Sequence, residues 1–112
     1  MYVYLIHSHA DGGQWKIGMT SRKAKDRLNE MSTGNPNLSG VFAEYKINNN
    51  NAHQIEATIK RFYKQFRING EWFKYEALTP ESFLEKCKFL DETFTRIKNI
   101  KNTIKHEINN KT

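Results

Sequence analysis

Two short apolar segments on either side of a glycine turn constrain the fold of this chain most strongly. Residues 2–6 are aromatic and β-branched, and residues 15–19 have a similar character, which is typical of strands. Asp11-Gly12-Gly13 lies between them, and glycine enters the positive-φ conformations of tight turns without strain. The sequence therefore predicts an antiparallel β-hairpin near its start.

The following residues alternate helical and extended patterns. They predict a helix over residues 22–32, a strand over residues 40–47, a helix over residues 52–67 and a short extended segment over residues 71–75. Ser21 is a candidate N-cap for the first helix, and Asn69-Gly70 is a candidate stop for the second. Residues 1–78 are thus expected to form an α/β domain with a small three-stranded antiparallel sheet flanked by helices.

A long amphipathic helix is predicted for residues 79–112, with Thr79 as its cap and Pro80 in its first turn. Its apolar positions follow an alternating four-three spacing, and Lys101 breaks that register. These apolar residues are Phe83, Cys87, Leu90, Phe94, Ile97, Ile104 and Ile108. The helix is expected either to pack on the domain or to mediate a homodimer.

The charge of the chain favours a polyanionic partner. Its 18 lysines and arginines exceed its 12 acidic residues, which gives a net charge of +6. The single cysteine, Cys87, excludes an internal disulfide and an all-cysteine zinc site. No segment approaches the roughly 20 apolar residues of a membrane helix. We expect a cytoplasmic protein, in the host cell if the source is viral, with DNA as its partner and no membrane association.

A strongly basic segment follows the second strand, with Arg22, Lys23, Lys25 and Arg27 within six residues. It is either the solvated start of a helix or one side of a phosphate site. The guanidinium of Arg27 can hold a phosphate through two parallel hydrogen bonds and stays charged at any working pH. Its alternative partner is Glu30, one helical turn further along.

Glu56 is the carboxylate with the strongest indication of a role. It lies about 90° around the second helix from the centre of the apolar stripe, at the edge of the predicted core. A carboxylate there suits Mg²⁺, which commonly takes one or two carboxylates together with phosphate oxygens and water. The alternative is a boundary glutamate paired with Lys60. His53, one turn earlier, could contact the same ion or the DNA, or could merely be exposed.

Several short motifs, taken in order, resemble the GIY-YIG nuclease superfamily. They are the first strand YVYLI, the KIG of the second strand, a basic helix containing Arg27 and a later helix containing Glu56. TGNP at residues 33–36 and GEWF at residues 70–73 resemble its small phage-type branch, usually described as DNA-binding. The resemblance covers about residues 2–75. Lys16 stands where the parent pattern has a tyrosine, and Met31 where many members have a histidine.

The resemblance implies roles for individual residues. Tyr4 would relay a proton at the attacking water, although a strand tyrosine can equally pack on the core. Lys16 and Arg27 would neutralise phosphate charge, and Glu56 would hold one Mg²⁺ or Mn²⁺. Glu71 could replace the late asparagine of the superfamily, which has no clear equivalent here, or could belong to structural closure.

The remaining basic side chains would attract the DNA backbone if they share one surface, and would only aid solubility if they do not. They are Arg22, Lys23, Lys25, Lys60, Arg61, Lys64 and Arg67. Three functions follow: a metal-dependent DNA endonuclease, a nucleic-acid-binding module without efficient cleavage, and an interaction factor that uses the C-terminal helix.

Overall fold

The computed structural model describes residues 1–48 and 50–110, which form one antiparallel sheet and three helices. The strands are β1 (Tyr2–Ser8), β2 (Gln14–Thr20), β3 (Leu38–Lys46), β4 (Arg67–Asn69) and β5 (Trp72–Lys74). The helices are α1 (Ala24–Ser32), α2 (Ala52–Phe62) and α3 (Pro80–Asn110). The strand order in the sheet is β3-β1-β2-β5-β4, and all pairs are antiparallel.

The predicted hairpin is confirmed as β1 and β2. Its register pairs Tyr4 with Gly18 and Ile6 with Lys16. A single 3₁₀ turn connects the strands, and Asp11, Gly12 and Gly13 all have positive φ, as the turn signal requires. This register decides which side chains of the two strands share a face of the sheet.

The sheet has five strands, so the prediction of three was too few. The two additional strands, β4 and β5, form a second hairpin around Gly70, whose φ is 48°. The sequence predicted that Asn69-Gly70 ends the second helix, but Gly70 lies in the turn of this hairpin. A strand of three residues shows little alternation of apolar and polar side chains. The sequence therefore indicated only β5, as a short extended segment.

Helix α2 is shorter than predicted, because it ends at Phe62 instead of residue 67. A 3₁₀ turn over Lys64–Phe66 follows, and it keeps Phe66 against the core without continuing the α-helix. Phe62 was expected to be buried, but its side chain is 62% exposed and lies 3.6 Å beneath the ammonium of Lys86.

The helices cover opposite faces of the sheet. Alternate residues of β1, such as Val3 and Leu5, pack with α2 and α3 in the larger core, which also holds Ile17 and Phe73. The other side chains of β1, Tyr4 and Ile6, pack beneath α1 in a smaller cluster. Side chains from α1 and α2 can therefore approach the same site only at an edge of the sheet.

The start of α1 differs from the prediction. The helix begins at Ala24, and its flanking residue is Lys23, so Ser21 is not the N-cap. The carboxylate of Glu44 on β3 instead accepts a hydrogen bond of 2.8 Å from the backbone N–H of Ala24. An anion is favourable at a helix N-terminus because the first N–H groups have no partner within the helix.

Helix α3 begins with the predicted cap, because Thr79 Oγ1 accepts a hydrogen bond of 3.1 Å from the backbone N–H of Ser82. Its first half packs on the domain through Phe83 and Cys87, and the hydroxyl of Tyr45 donates to Asp91 at 3.0 Å. The second half leaves its isoleucines exposed, and the molecule extends 61 Å in its longest direction. Residues 111 and 112 of the predicted helix lie outside the described part.

None of the described helices combines the length with the apolar character that a membrane crossing requires.

The buried Cys87 predicts a loss of stability in alkaline solution. Burial first, and the charge of Asp91 second, raise the pKa of its thiol to about 12. The folded protein therefore holds this proton where the unfolded chain loses it, and stability falls as the pH rises from about 9 towards 12. In urea unfolding at a series of pH values, Cys87→Val should make this fall shallower by about 1 kcal/mol per pH unit. Equal slopes for the two proteins would contradict the prediction.

Candidate functional site

Tyr4 lies at the centre of the candidate site, buried beneath α1 with 2% of its surface exposed. Its ring crosses directly over Gly18 on β2. A Cβ at Gly18 would overlap the Tyr4 hydroxyl and would lie 2.8 Å from the ring carbon Cε1. The absence of a Cβ at Gly18 therefore makes room for the tyrosine ring.

The positive charge of the Arg27 guanidinium on α1 acts on the Tyr4 phenol and favours its ionised form. Burial raises the pKa of that phenol; Arg27 opposes this in part, while the negative charges of Glu71 and Glu56 add to it. The net direction is upward, so Tyr4 is protonated near neutral pH. In turn, the phenol and then Glu30 raise the pKa of Arg27. Tyr4 is therefore set up as a proton or hydrogen-bond donor before it can act as a base.

Two lysines and two glutamates form a chain of ion pairs beside Tyr4. Lys16 Nζ lies 3.0 Å from Glu71 Oε2, and Lys60 Nζ donates to Glu71 Oε1 at 2.8 Å. Lys60 also donates to Glu56 Oε1 at 2.9 Å. Lys16, Lys60 and Glu56 are largely withdrawn from solvent, whereas the Glu71 side chain is 43% exposed.

The pairing changes the titration of the central members of this chain. Burial alone would raise the pKa of Glu71, but hydrogen bonds from Lys60 and Lys16 outweigh it and hold the pKa below its usual value. Burial alone would lower the pKa of Lys60, but its bonds to Glu71 and Glu56 raise it. At neutral pH the chain therefore consists of two ammonium groups and two carboxylates in alternation.

The edge of β2 allows these groups to meet. Strand β5 pairs with β2 only from Gln14 to Lys16, so the rest of β2 continues beyond the end of β5. The backbone N–H of Ile17 donates to the carbonyl of Glu71 at this corner. Glu56, from the helix on the other face, acts electrostatically on Tyr4 here, as does Glu71. Tyr4 is thus within the electrostatic influence of both Arg27 and Glu56, which are far from it in sequence.

The other predicted binding residues are more dispersed. Arg22 and Arg27 both pair with Glu30, the latter at 3.3 Å, so the helical salt bridge weighed for Arg27 is also formed. Lys60 is held by two carboxylates and does not project freely. The exposed side chains Lys23 and Lys25 lie at α1, whereas His53, Arg61, Lys64 and Arg67 lie at or after α2. These two sets flank opposite faces of the sheet.

The carboxylates provide a limited set of metal ligands. Among the described residues, no three histidine, cysteine or acidic side chains are grouped as a metal site. Glu56 and Glu71 are bridged by Lys60, so a divalent ion at either one would compete with its ammonium. The arrangement fits the mode in which one carboxylate holds Mg²⁺ and phosphate oxygens with water complete its shell.

Two aromatic features were not identified from the sequence. Trp72 lies opposite Lys16 in the β2–β5 pair, with the ammonium 5.8 Å from its ring centroid. On the other face, Trp15 stacks on Tyr75 with centroids 5.4 Å apart and contacts His7 at 5.0 Å. The GEWF segment predicted a short aromatic strand, but it did not indicate that this strand pairs with β2.

In a comparison with protein families, the model of the T5orf172 domain matches residues 1–104. Neither the curated proteins nor the solved structures include a significant match to this chain.

Gly18→Ala should destabilise the protein by about 1–3 kcal/mol, because the new methyl group overlaps the Tyr4 ring and forces one of them to move. Gly34→Ala is a matched control, since a Cβ there meets nothing within 4 Å and should change stability by less than about 0.5 kcal/mol. Urea unfolding at neutral pH measures both. Equal stabilities of the two variants would show that Tyr4 does not occupy this position.

Proposed function

The chain belongs to the T5orf172 domain family, and from this premise we propose that it is a phage-type, nuclease-like DNA-binding module that hydrolyses phosphodiester bonds. More specifically, we propose a GIY-YIG-type endonuclease that depends on Mg²⁺ or Mn²⁺ and acts in the cytoplasm. The observation that carries the proposal is the chain of ion pairs that joins Lys16 to Glu56 through Glu71 and Lys60, together with the action of the Arg27 and Glu56 charges on the Tyr4 phenol.

Arg27 and Lys16 supply the positive charge that a phosphodiester requires. The guanidinium is partly exposed and, within the described part of the chain, is paired with Glu30, so a phosphate can replace Glu30 as its partner. Lys16 lies on the same face of the sheet as Tyr4, since it pairs with Ile6 two residues along β1. Together they would stabilise the extra negative charge that develops on the phosphate during attack.

Tyr4 would act through its protonated hydroxyl. Its raised pKa makes it a hydrogen-bond donor to a phosphate oxygen or to the attacking water at neutral pH. Arg27 would act on Tyr4 electrostatically, because its positive charge opposes the increase in the pKa of the phenol.

Glu56 would hold the divalent ion together with phosphate oxygens and water. Such an ion, when bound, stabilises phosphate charge and increases the acidity of its water. Because Lys60 already donates to Glu56, its ammonium would have to move towards Glu71 as the ion binds. Glu71 would thus serve as the second anchor of Lys60.

The same ion pairs favour a second candidate, a binding module without efficient cleavage. Lys60 and Lys16 neutralise both carboxylates in the present arrangement, as expected for a site that binds phosphate through ammonium and guanidinium groups alone. The two candidates share the DNA partner and differ only in hydrolysis.

Glu56→Gln should reduce Mg²⁺- or Mn²⁺-dependent nicking of supercoiled plasmid by about 100-fold or more, the scale expected for loss of a charged stabilising group. DNA affinity, measured by anisotropy without metal, should change little because Arg27 and Lys16 remain. Glu85→Gln, which alters an exposed glutamate on α3, is the control and should cleave as the native protein does.

Salt-sensitive binding by the native protein with no nicking in either metal would favour the binding module. Nicking that survives equally in Glu56→Gln and Glu85→Gln would contradict the role of Glu56.

An interaction through α3 is the third candidate, favoured by its exposed isoleucines. Ile97, Ile100, Ile104 and Ile108 are each between 43% and 59% exposed on the second half of the helix. A shallow groove of about 740 Å³ runs beside Ile100 and Ile104. The area is apolar enough for a homodimer, but Lys98, Lys101 and Lys105 would repel one another across it.

If α3 mediates a homodimer, its association should strengthen as salt screens these lysines, whereas DNA binding should weaken with salt. Sedimentation equilibrium at two ionic strengths measures the first effect. Ile104→Glu should abolish the dimer, and Asn102→Glu, an exposed polar position on the same helix, should not. A monomer at every concentration would exclude this candidate.

A further inference from the structure

One row of side chains runs across four strands beside the candidate site. Ile6 pairs with Lys16, Lys16 pairs with Trp72, and Trp72 pairs with Asn69. Directly paired residues of antiparallel strands project to the same face. The row therefore lies on the face that carries Tyr4, which is two residues from Ile6 on β1.

This row is covered unequally. Helix α1 packs over its first part, where Ile6 joins Tyr4 and Ala24 in a buried cluster, and α1 contacts β1 and β3. At the other end, Asn69 is exposed and Trp72 is partly exposed. The indole is thus a large apolar group at the surface, immediately beyond the covered part of the sheet.

The surroundings of Trp72 are suited to a polyanion. Lys16 Nζ lies 5.8 Å from the indole centroid, and Lys74, two residues along β5, projects to the same face and is exposed. The adjacent Glu71 is already paired with Lys16 and Lys60. An aromatic ring beside lysines is the combination by which proteins bind single-stranded nucleic acids, with bases stacked on the ring and phosphates at the cations.

We propose that the face formed by β2, β5 and β4 binds an unpaired segment of a DNA strand, with one base stacked on Trp72. The phosphate next to that base would contact Lys16 and would enter the site at Tyr4 and Arg27. This inference rests on the proposed function and identifies its substrate as DNA with unpaired nucleotides. In an intact duplex the base faces are already stacked on one another, so an indole on a flat sheet surface cannot reach them.

Intrinsic fluorescence can test the contact, because the chain has two tryptophans. Trp15 is buried, with 2% of its surface exposed, and Trp72 is partly exposed. The background is Glu56→Gln in a chelator, so that no cleavage occurs, and the probe is a short oligothymidylate. Trp15→Phe, which retains Trp72, should lose a larger fraction of its emission than the background protein, because the unquenched Trp15 signal is absent. Trp72→Phe, which retains Trp15, should show no quenching.

Affinity measurements provide a second test. Trp72→Ala should bind oligothymidylate about 10-fold more weakly, on the scale of the loss of one stacked base, while its affinity for a blunt duplex stays unchanged. Phe62→Ala is the matched control, since Phe62 is also an exposed ring beneath a lysine but lies on α2. It should leave both affinities unchanged. Circular dichroism checks that each variant is folded. If Trp72→Ala is not folded, Trp72→Phe in the fluorescence experiment still tests the contact, because phenylalanine retains a ring at this position.

The inference would be wrong if oligothymidylate left the emission of Trp72 unchanged. It would also be wrong if Trp72→Ala weakened duplex and single-strand binding equally, or if Phe62→Ala weakened single-strand binding as much as Trp72→Ala does. These results are independent of the test for hydrolysis. A protein that stacks a base on Trp72 but never nicks DNA would refute only the nuclease proposal. A protein that nicks DNA without quenching would refute only the stacking proposal.

Discussion

The contact between the Tyr4 ring and Gly18 is the constraint on which the site depends. The Tyr4 ring lies over Gly18 of β2, and a Cβ at that position would overlap the Tyr4 hydroxyl, so the arrangement requires a glycine there. In this position the phenol is within the electrostatic influence of the Arg27 guanidinium. The fold and the chemistry of the site thus share one interaction, because a shift in hairpin register would lose both.

The second organising element is electrostatic, a chain of alternating charges that joins the two faces of the sheet. Lys16 projects from the face that carries Tyr4, and Lys60 belongs to the helix on the other face; Glu71 at the corner binds both. Such partly buried pairs contribute little net stability, but they fix the positions of their members. Glu71, for which the sequence offered either replacement of a missing asparagine or structural closure, is therefore the junction of these ion pairs.

The sequence was most informative where structure is local. The first hairpin followed from Asp11-Gly12-Gly13 and its apolar flanks, and the start of α3 followed from Thr79. The β4–β5 hairpin was missed because its strands are three residues long and Phe66 prolongs the helical spacing of α2. Tyr4, Arg27 and Glu56 were selected through a family resemblance, whereas the pairs made by Glu71 depend on β5 lying beside β2. No spacing along the chain encodes that arrangement.

The hydrogen bond from the backbone N–H of Ala24 to Glu44 connects β3 to the helix that carries Arg27. A carboxylate on β3 holds the first turn of the helix, and Arg27 projects from the turn that follows. The direction of that guanidinium is accordingly anchored from a strand on the far side of β1. If Arg27 binds phosphate as proposed, position 44 is coupled energetically to that recognition through the start of α1.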